Sequence, residues 1–260
     1  MLHLKTRVKS VLARLGHNRG ALNEPGVGDV DFLAAATVKD SQYYAQWSPP
    51  YPLFSPWLGH PAFQSLYDGI EPYTLVSRDR CYFLASLADY ASHLSGDFAE
   101  CGVYKGGTAL LLARILRNKN KNLYLFDSFK GLPKEDETKD KWYHEGDFAI
   151  DSLEDVKLLL QEFSSFIEIR QGWIPVTFTG LESNRYAFVH VDVDLYRSTL
   201  DCCQYFYSRL PAGGVLLFDE YGFAATRGEK DAVDEFFSDK AENPISLPTG
   251  QAMVLKLPAA

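Results

Sequence analysis

Sulfur is scarce in this chain, and long apolar runs are missing from it. Of 260 residues, four are cysteine and two are methionine. Cys81, Cys101, Cys202 and Cys203 show neither a CxxC pair nor metal-finger spacing, which argues against a zinc ribbon or a dithiol redox centre. Cys202 and Cys203 fall on a helix expected after an acidic strand, where burial is the better reading than redox use. A reducing, cytoplasmic compartment fits that usage. No apolar stretch approaches the ~18 residues needed to cross a bilayer. Basic residues are in deficit, 26 Lys and Arg against 34 Asp and Glu, for a net charge of −8. Binding along a phosphate backbone needs clustered cations, so a nucleic-acid partner is not expected. A small anionic ligand held locally, and a homo-oligomer, remain compatible with the composition. There is no repeat and no low-complexity tract.

What is present is an ordinary globular composition, 46% hydrophobic and 23% charged. The first 20 residues carry Lys5, Arg7, Lys9, Arg14 and Arg19 and no acid, with leucines and Val8 between them. A transit peptide, a membrane-surface helix and a basic helix packed on an acidic body all read this way, the last being the plainest. Residues 1–75 show no strand–helix alternation and concentrate Pro49, Pro50, Pro52, Pro56 and Pro61 among aromatics. They are expected to form an N-terminal helical and loop cap, either structural or a lid over substrate.

From Thr74 the alternation becomes regular. Apolar spacing predicts helices over 79–94, 107–116, 153–163, 198–209 and 229–239. Strands are expected at 97–101, 122–127, 166–171, 186–192, 214–219 and, after a turn, 248–257. The polar stretch 134–149 is expected to be a loop. Such alternation means an α/β fold with a mostly parallel sheet covered on both faces, occupying residues 76–260.

The chemistry gathers at strand ends. The fourth strand runs His190-Val191-Asp192-Val193-Asp194, and the fifth closes on Asp219-Glu220. Paired acids repel unless something positive meets them. Asp192, Asp219 and Glu220 converging from adjacent strand ends, with no thiolate nearby, favour Mg²⁺ or Mn²⁺; the bland alternative is a set of helix-capping acids. Upstream, Glu100 precedes the loop Gly102-Val103-Tyr104-Lys105-Gly106-Gly107. Its GxxxGG spacing lacks the third glycine of a dinucleotide fingerprint. An amino-acid-bearing cofactor suits it better, although a glycine turn serving chain geometry alone is an equal reading. Asp127 ends the second strand, where an acid typically accepts from both hydroxyls of a ribose, or merely caps a turn. Gly172-Trp173 past the third strand offers an indole face to a purine, or packs in the core.

Taken in order, Glu-Cys-Gly-Val-x-Lys-Gly-Gly from Glu100, Asp-Ser-Phe-x-Gly-Leu-Pro from Asp127, Gly-Trp-x-Pro from Gly172, Asp-x-Asp-Leu-Tyr-x-Ser-Thr from Asp192, Pro-x-Gly-Gly from Pro211 and Asp-Glu-Tyr-Gly from Asp219 resemble the macrocin O-methyltransferase family. The resemblance runs from about Thr74 to the C-terminus. It implies a Rossmann-like class I methyltransferase fold with a seven-stranded sheet and a final antiparallel strand. It also implies dependence on S-adenosylmethionine and a divalent metal, with hydroxyls of natural-product sugars as acceptors. Carried over, Glu100, Gly102, Tyr104, Gly106 and Thr108 would surround the methionine portion. Asp127 and Ser128 would hold the ribose, and Gly172 with Trp173 the adenine. Asp192, Asp219 and Glu220 would ligate the metal, and Asp194 would be the general base. The best-known members carry two aspartates where this chain has Asp219-Glu220, and the extra methylene alters the third ligand's reach.

The function expected is methyl transfer to a hydroxyl of a small molecule, a sugar or other vicinal diol. A metal-dependent hydrolase would need no glycine loop, and a non-catalytic binding protein would be expected to have lost site residues. A nicotinamide oxidoreductase is disfavoured by the missing glycine.

Overall fold

Strands and helices alternate from Asp97 onward much as the apolar periodicity requires. The computed structural model describes residues 55–150 and 152–258. The basic stretch 1–20 and most of the Pro/aromatic segment expected as a cap lie outside them. Two short helices come first, α1 (Pro56–Gly59) and α2 (Pro61–Asp68), each with proline in its first turn, where the missing N–H costs nothing. Then follow α3 (Arg78–Ala91), β1 (Asp97–Cys101), α4 (Gly107–Leu116), β2 (Leu123–Asp127), α5 (Leu153–Leu159), β3 (Ile167–Gln171) and β4 (Tyr186–Val191). The chain continues through α6 (Tyr196–Phe206), β5 (Val215–Phe218), α7 (Arg227–Phe237), β6 (Ile245–Ser246) and β7 (Ala252–Leu255).

The seven strands lie in the order β3-β2-β1-β4-β5-β7-β6. All neighbouring pairs are parallel except β5–β7 and β7–β6. The two-residue β6 carries too little pattern for sequence reading to find. Alternation along the central strands divides the core in two. Phe98, Phe188, Leu125 and Leu217 pack against Leu84 of α3 and Leu111 of α4. On the other face Ala99, Val189 and Leu216 pack with Cys202, Phe206 and Val233 of α6 and α7. Burial on both faces is what parallel strands require. All four cysteines are free and buried, as expected for Cys202 and Cys203. Phe63, Tyr67 and Ile70 belong to the first of these clusters, so the chain just before α3 is part of the core.

Register sets the site. Val191 pairs with Phe218 and Cys101 with Val191, so the residues just past β1, β4 and β5 emerge side by side. Asp192 N–H donates to Cys101 C=O at 2.8 Å and Asp219 N–H to Val191 C=O at 3.0 Å. Gly102 has φ +87°, and a Cβ there would run into the Asp192 carbonyl. Only glycine tolerates both the backbone angle and the approach. Gly102→Ala is therefore expected to lower stability by roughly 1–3 kcal/mol, the range for a residue forced into a strained region. An unchanged midpoint in urea unfolding would show that the Asp192 backbone yields freely.

Candidate active site

The carboxyl ends of β1, β2, β4 and β5 surround a cleft that opens to solvent. Open α/β sheets keep their ligands at this edge. Of the residues expected around a cofactor, Gly102, Tyr104, Thr108, Asp127 and Ser128 line the cleft, as do Gly172 and Trp173. Asp192, Asp194 and Glu220 line it as well. Glu100, Gly106 and Asp219 lie behind this wall. Gly106 opens α4 with φ +87° and packs against Val156 of α5.

Asp127 organises the cofactor side. Its Oδ2 accepts from Val103 N–H at 2.6 Å and Tyr104 N–H at 3.0 Å, and its Oδ1 from Phe129 N–H at 2.6 Å. The Asp127 carboxylate therefore braces the glycine loop, and the residue also lines the cleft. Asp127 C=O accepts from Gly172 N–H at 2.9 Å, which brings the Gly172-Trp173 turn alongside. Trp173 is 41% exposed, so its ring is not consumed by the core.

The acid side is a network rather than a row. Fully buried His190 stands between two carboxylates, Glu100 Oε1 at 2.9 Å from Nδ1 and Asp219 Oδ1 at 3.4 Å from Nε2. Burial alone would lower the imidazolium, but hydrogen bonds to Asp219 and Glu100 outweigh it and raise the group to about 10. Asp219 is also bonded through Oδ2 to the Arg80 guanidinium, and its Oδ1 accepts from Gln251 Nε2 at 2.8 Å. Burial pushes Asp219 up, but Arg80, His190 and Gln251 together bring it below the usual carboxylate range. Arg80 reaches Glu220 Oε1 at 3.5 Å as well.

Asp192, Asp194 and Glu220 lack such balance. Burial holds Asp192 and Asp194 well above the ordinary range, helped by the Asp219 and Glu220 charges for Asp192 and the Glu220 and Asp192 charges for Asp194. Burial raises Glu220 too, despite Arg80. Behind them fully buried Glu229 accepts from Glu220 N–H at 3.0 Å and is raised by burial and by the Glu220 and Asp192 charges. Six carboxyl groups thus face two cationic side chains, Arg80 and His190.

That imbalance bears on a cation. Asp192, Asp194 and Glu220 each offer an oxygen, all within 4.8 Å of one another, and His190, Asp192 and Asp219 form a second such group. Glu220 Oε2 is buried with no hydrogen-bond partner. An orphaned carboxylate oxygen is costly unless a cation or water meets it. The donor set is hard, with no thiolate, and fits Mg²⁺ or Mn²⁺.

Asp194 owes its aim to a strained turn. Leu195 N–H closes onto Val193 C=O at 2.6 Å, with Asp194 at φ +60° between them. A non-glycine residue at the centre of so tight a turn is strained by about 1–3 kcal/mol. Asp194 lines the same cleft as Asp192.

Residues 70–249 match the family described as macrocin-O-methyltransferase. The chain belongs to that family. It is 29% identical over 159 residues to a Streptomyces olivaceus enzyme named as an 8-demethyl-8-(2,3-dimethoxy-α-L-rhamnosyl)-tetracenomycin-C 4'-O-methyltransferase. That match covers 56% of this chain and 59% of the relative, so the chain spans little more than half the length of the curated relative. Among solved structures, the O-methyltransferase NovP superposes with a TM-score of 0.61 at 24% identity, covering 72% of this chain and 83% of that one. TomG from Streptomyces achromogenes, an O-methyltransferase solved with S-adenosylmethionine, superposes at 0.52 and 14% identity, covering 76% and 90%. The shared fold is the Rossmann-like class I methyltransferase fold, with the seven-stranded sheet that the family resemblance implies. No helix among the described residues is long and apolar enough to cross a membrane.

Sequence reading missed Arg80, Glu229 and Gln251, and gave His190 no role. His190 left a signal, a titratable side chain within an otherwise apolar strand and on the face of Asp192. Arg80 left none, since its partner Asp219 lies 139 residues away.

Proposed function

We propose that this chain is an O-methyltransferase that moves the methyl group of S-adenosylmethionine to a hydroxyl of a small molecule, a sugar moiety or other vicinal diol of a natural product. The observation that carries the reading is a glycine loop facing an excess of buried carboxylates across one cleft. S-adenosylmethionine brings a sulfonium and an ammonium to that excess, and Mg²⁺ or Mn²⁺ would polarise an acceptor hydroxyl and favour its ionisation. The family's chemistry and the methyl transfers named for its relatives support the same assignment.

Among the chain's own groups, Gly102, Tyr104 and Thr108 bound the methionine portion, with Glu100 and Gly106 supporting the loop from below. Asp127 and Ser128 hold the ribose, and Gly172 with Trp173 flank the adenine. Asp192, Asp219 and Glu220 are assigned as metal ligands; Asp219 groups with His190 and Asp192, and Glu220 with Asp192 and Asp194, so Asp192 joins the two groups. Asp194 takes the proton of the acceptor hydroxyl, since its bent backbone aims it where Asp192 already points. Arg80 and His190 fix Asp219, so one carboxylate of the set is oriented before any ligand arrives. Two neighbouring hydroxyls would be held in one orientation by these groups, which lowers the entropic part of the barrier. The compartment proposed is the cytoplasm.

Calorimetry with S-adenosylmethionine tests the reading. The wild type should bind, and Asp127→Ala should weaken binding by ~1.5–3 kcal/mol, the range for hydrogen bonds to a charged group. Part of that loss will come from the loop, freed of its bonds at Val103 and Tyr104. No binding by the wild type would sink the assignment; unchanged affinity in a folded Asp127→Ala protein would remove Asp127 from it.

A further inference from the structure

Glu100, His190, Asp219, Arg80 and Glu220 form one continuous chain of side chains beneath the cleft, and strand pairing dictates its course. Glu100 of β1 pairs with His190 of β4, and His190 with Leu217 of β5. Asp219 lies two residues past Leu217 and so on the same face. Glu100 Oε1 meets His190 Nδ1 at 2.9 Å, and His190 Nε2 meets Asp219 Oδ1 at 3.4 Å. Asp219 Oδ2 accepts from Arg80 Nη1, which also reaches Glu220 Oε1 at 3.5 Å. Acid and base thus alternate from one end to the other.

Both ends are unfinished. Glu100 Oε2 and Glu220 Oε2 are each buried without a hydrogen-bond partner. Such an oxygen calls for a cation or a water. At one end Glu100 precedes the glycine loop assigned to the methionine portion of the cofactor, whose amino group is an ammonium. At the other, Glu220 is assigned to the divalent metal.

Spacing along the chain is uneven in one direction. His190 is nearer Glu100 than Asp219, and Arg80 is nearer Asp219 than Glu220. Both bases are therefore displaced toward the Glu100 end, which leaves Glu220 the least compensated. Asp219 itself is pinned. Its Oδ1 accepts from Gln251 Nε2 at 2.8 Å, and Thr249 Oγ1 donates to Gln251 Oε1 at 3.0 Å. With the central acid fixed, the two bases are the members that can shift. An ammonium at Glu100 takes up part of that carboxylate's charge, so His190 turns toward Asp219. Asp219 releases Arg80 in the same measure, and Arg80 moves onto Glu220. A Glu220 so compensated holds a divalent cation less tightly. The reverse holds equally, because coupling between two sites is reciprocal.

We propose that His190 is a positioning residue that couples the cofactor and metal halves of the cleft, so that the cofactor ammonium and the divalent cation weaken each other's binding. This rests on the methyl-transfer reading above and adds a regulation of the same site. S-adenosylhomocysteine keeps the ammonium after the methyl group has left, so the antagonism persists in the product complex and favours its release.

Calorimetry with Mn²⁺ on the intact chain tests the coupling in saturating S-adenosylhomocysteine, in saturating 5'-methylthioadenosine, and in neither. The second nucleoside has the adenine and ribose and lacks the ammonium. S-adenosylhomocysteine is expected to weaken Mn²⁺ binding by about fivefold or more, the low end of coupling between sites, and 5'-methylthioadenosine by less than about twofold. His190→Gln should still bind S-adenosylhomocysteine and Mn²⁺, with the coupling factor reduced below about twofold. A side chain that only filled space would change each affinity and leave that factor alone. If the variant does not fold, Glu100→Gln, which keeps the shape and removes the charge, should abolish the factor. Failure of S-adenosylhomocysteine to bind the wild type would overturn the methyl-transfer reading. With that binding intact, an unchanged or tighter Mn²⁺ affinity, no Mn²⁺ binding, an equal effect of 5'-methylthioadenosine, or a factor that survives the substitution would overturn the role of His190 alone. So would a folded His190→Gln protein that no longer binds Mn²⁺, because His190 would then be a ligand.

Discussion

Asp194→Asn is expected to reduce kcat by about 10²–10⁴ while leaving the metal concentration for half-maximal activity nearly unchanged, the signature of a lost general base. The expectation comes from the turn at Val193–Leu195, which spends backbone strain to bring a second carboxylate of the same segment into the cleft. A competing role is visible in the same geometry, because Asp194 also offers an oxygen within 4.8 Å of those of Asp192 and Glu220. If Asp194 is a ligand, the variant's metal requirement rises together with the loss of rate. Metal titration of kcat therefore separates the two. A rise in metal requirement matching that of Asp192→Asn would mean that the assignment of Asp194 as base is wrong.

Removal of the metal has the other large expected effect. Chelator should abolish methyl transfer, leave the fold largely intact, and be reversed by Mg²⁺ or Mn²⁺. Asp192→Asn should raise the metal concentration for half-maximal activity by more than about tenfold, since even residues one step removed from a metal change affinity 10–100-fold. Asp192 is chosen because it alone belongs to both acid groups. The fold should survive because Arg80 and His190 neutralise part of the cluster without any metal. Circular dichroism should thus be little changed in chelator. Full activity after chelation, with metal content checked by elemental analysis, would exclude the metal from the reaction.

Much of this site was legible along the chain because its residues are local to strand ends. A strand alternates sides with period two, and a parallel strand feeding a helix has its carboxyl end at the ligand edge. Gly102, Asp127, Asp192, Asp194 and Glu220 could each be assigned to that edge from their own segments. Burial of Cys202 and Cys203 followed from their place on the helix after the acidic strand. The stretch 134–149 read only as a polar loop, because the bonds that close it, Leu132 N–H to Asp147 C=O, and seat it on α6, Tyr196 N–H to Asp140, join residues far apart in sequence.

Hydrophobic pattern along the chain was enough to place the ends of the five parallel strands to within a residue, to make the sheet mostly parallel, and to set acids in excess of cations where those strands stop. Those are consequences of hydrophobic period, and period is a property of neighbouring residues. How the acids divide depends on packing in three dimensions. Register brought Asp219 beside His190 and under Arg80, a residue of α3, while Asp192, Asp194 and Glu220 were left facing the cleft and one another. Coulomb energy depends on distance through space, and at strand ends that distance is fixed by pairing register and helix packing. Chain separation carries no information about it.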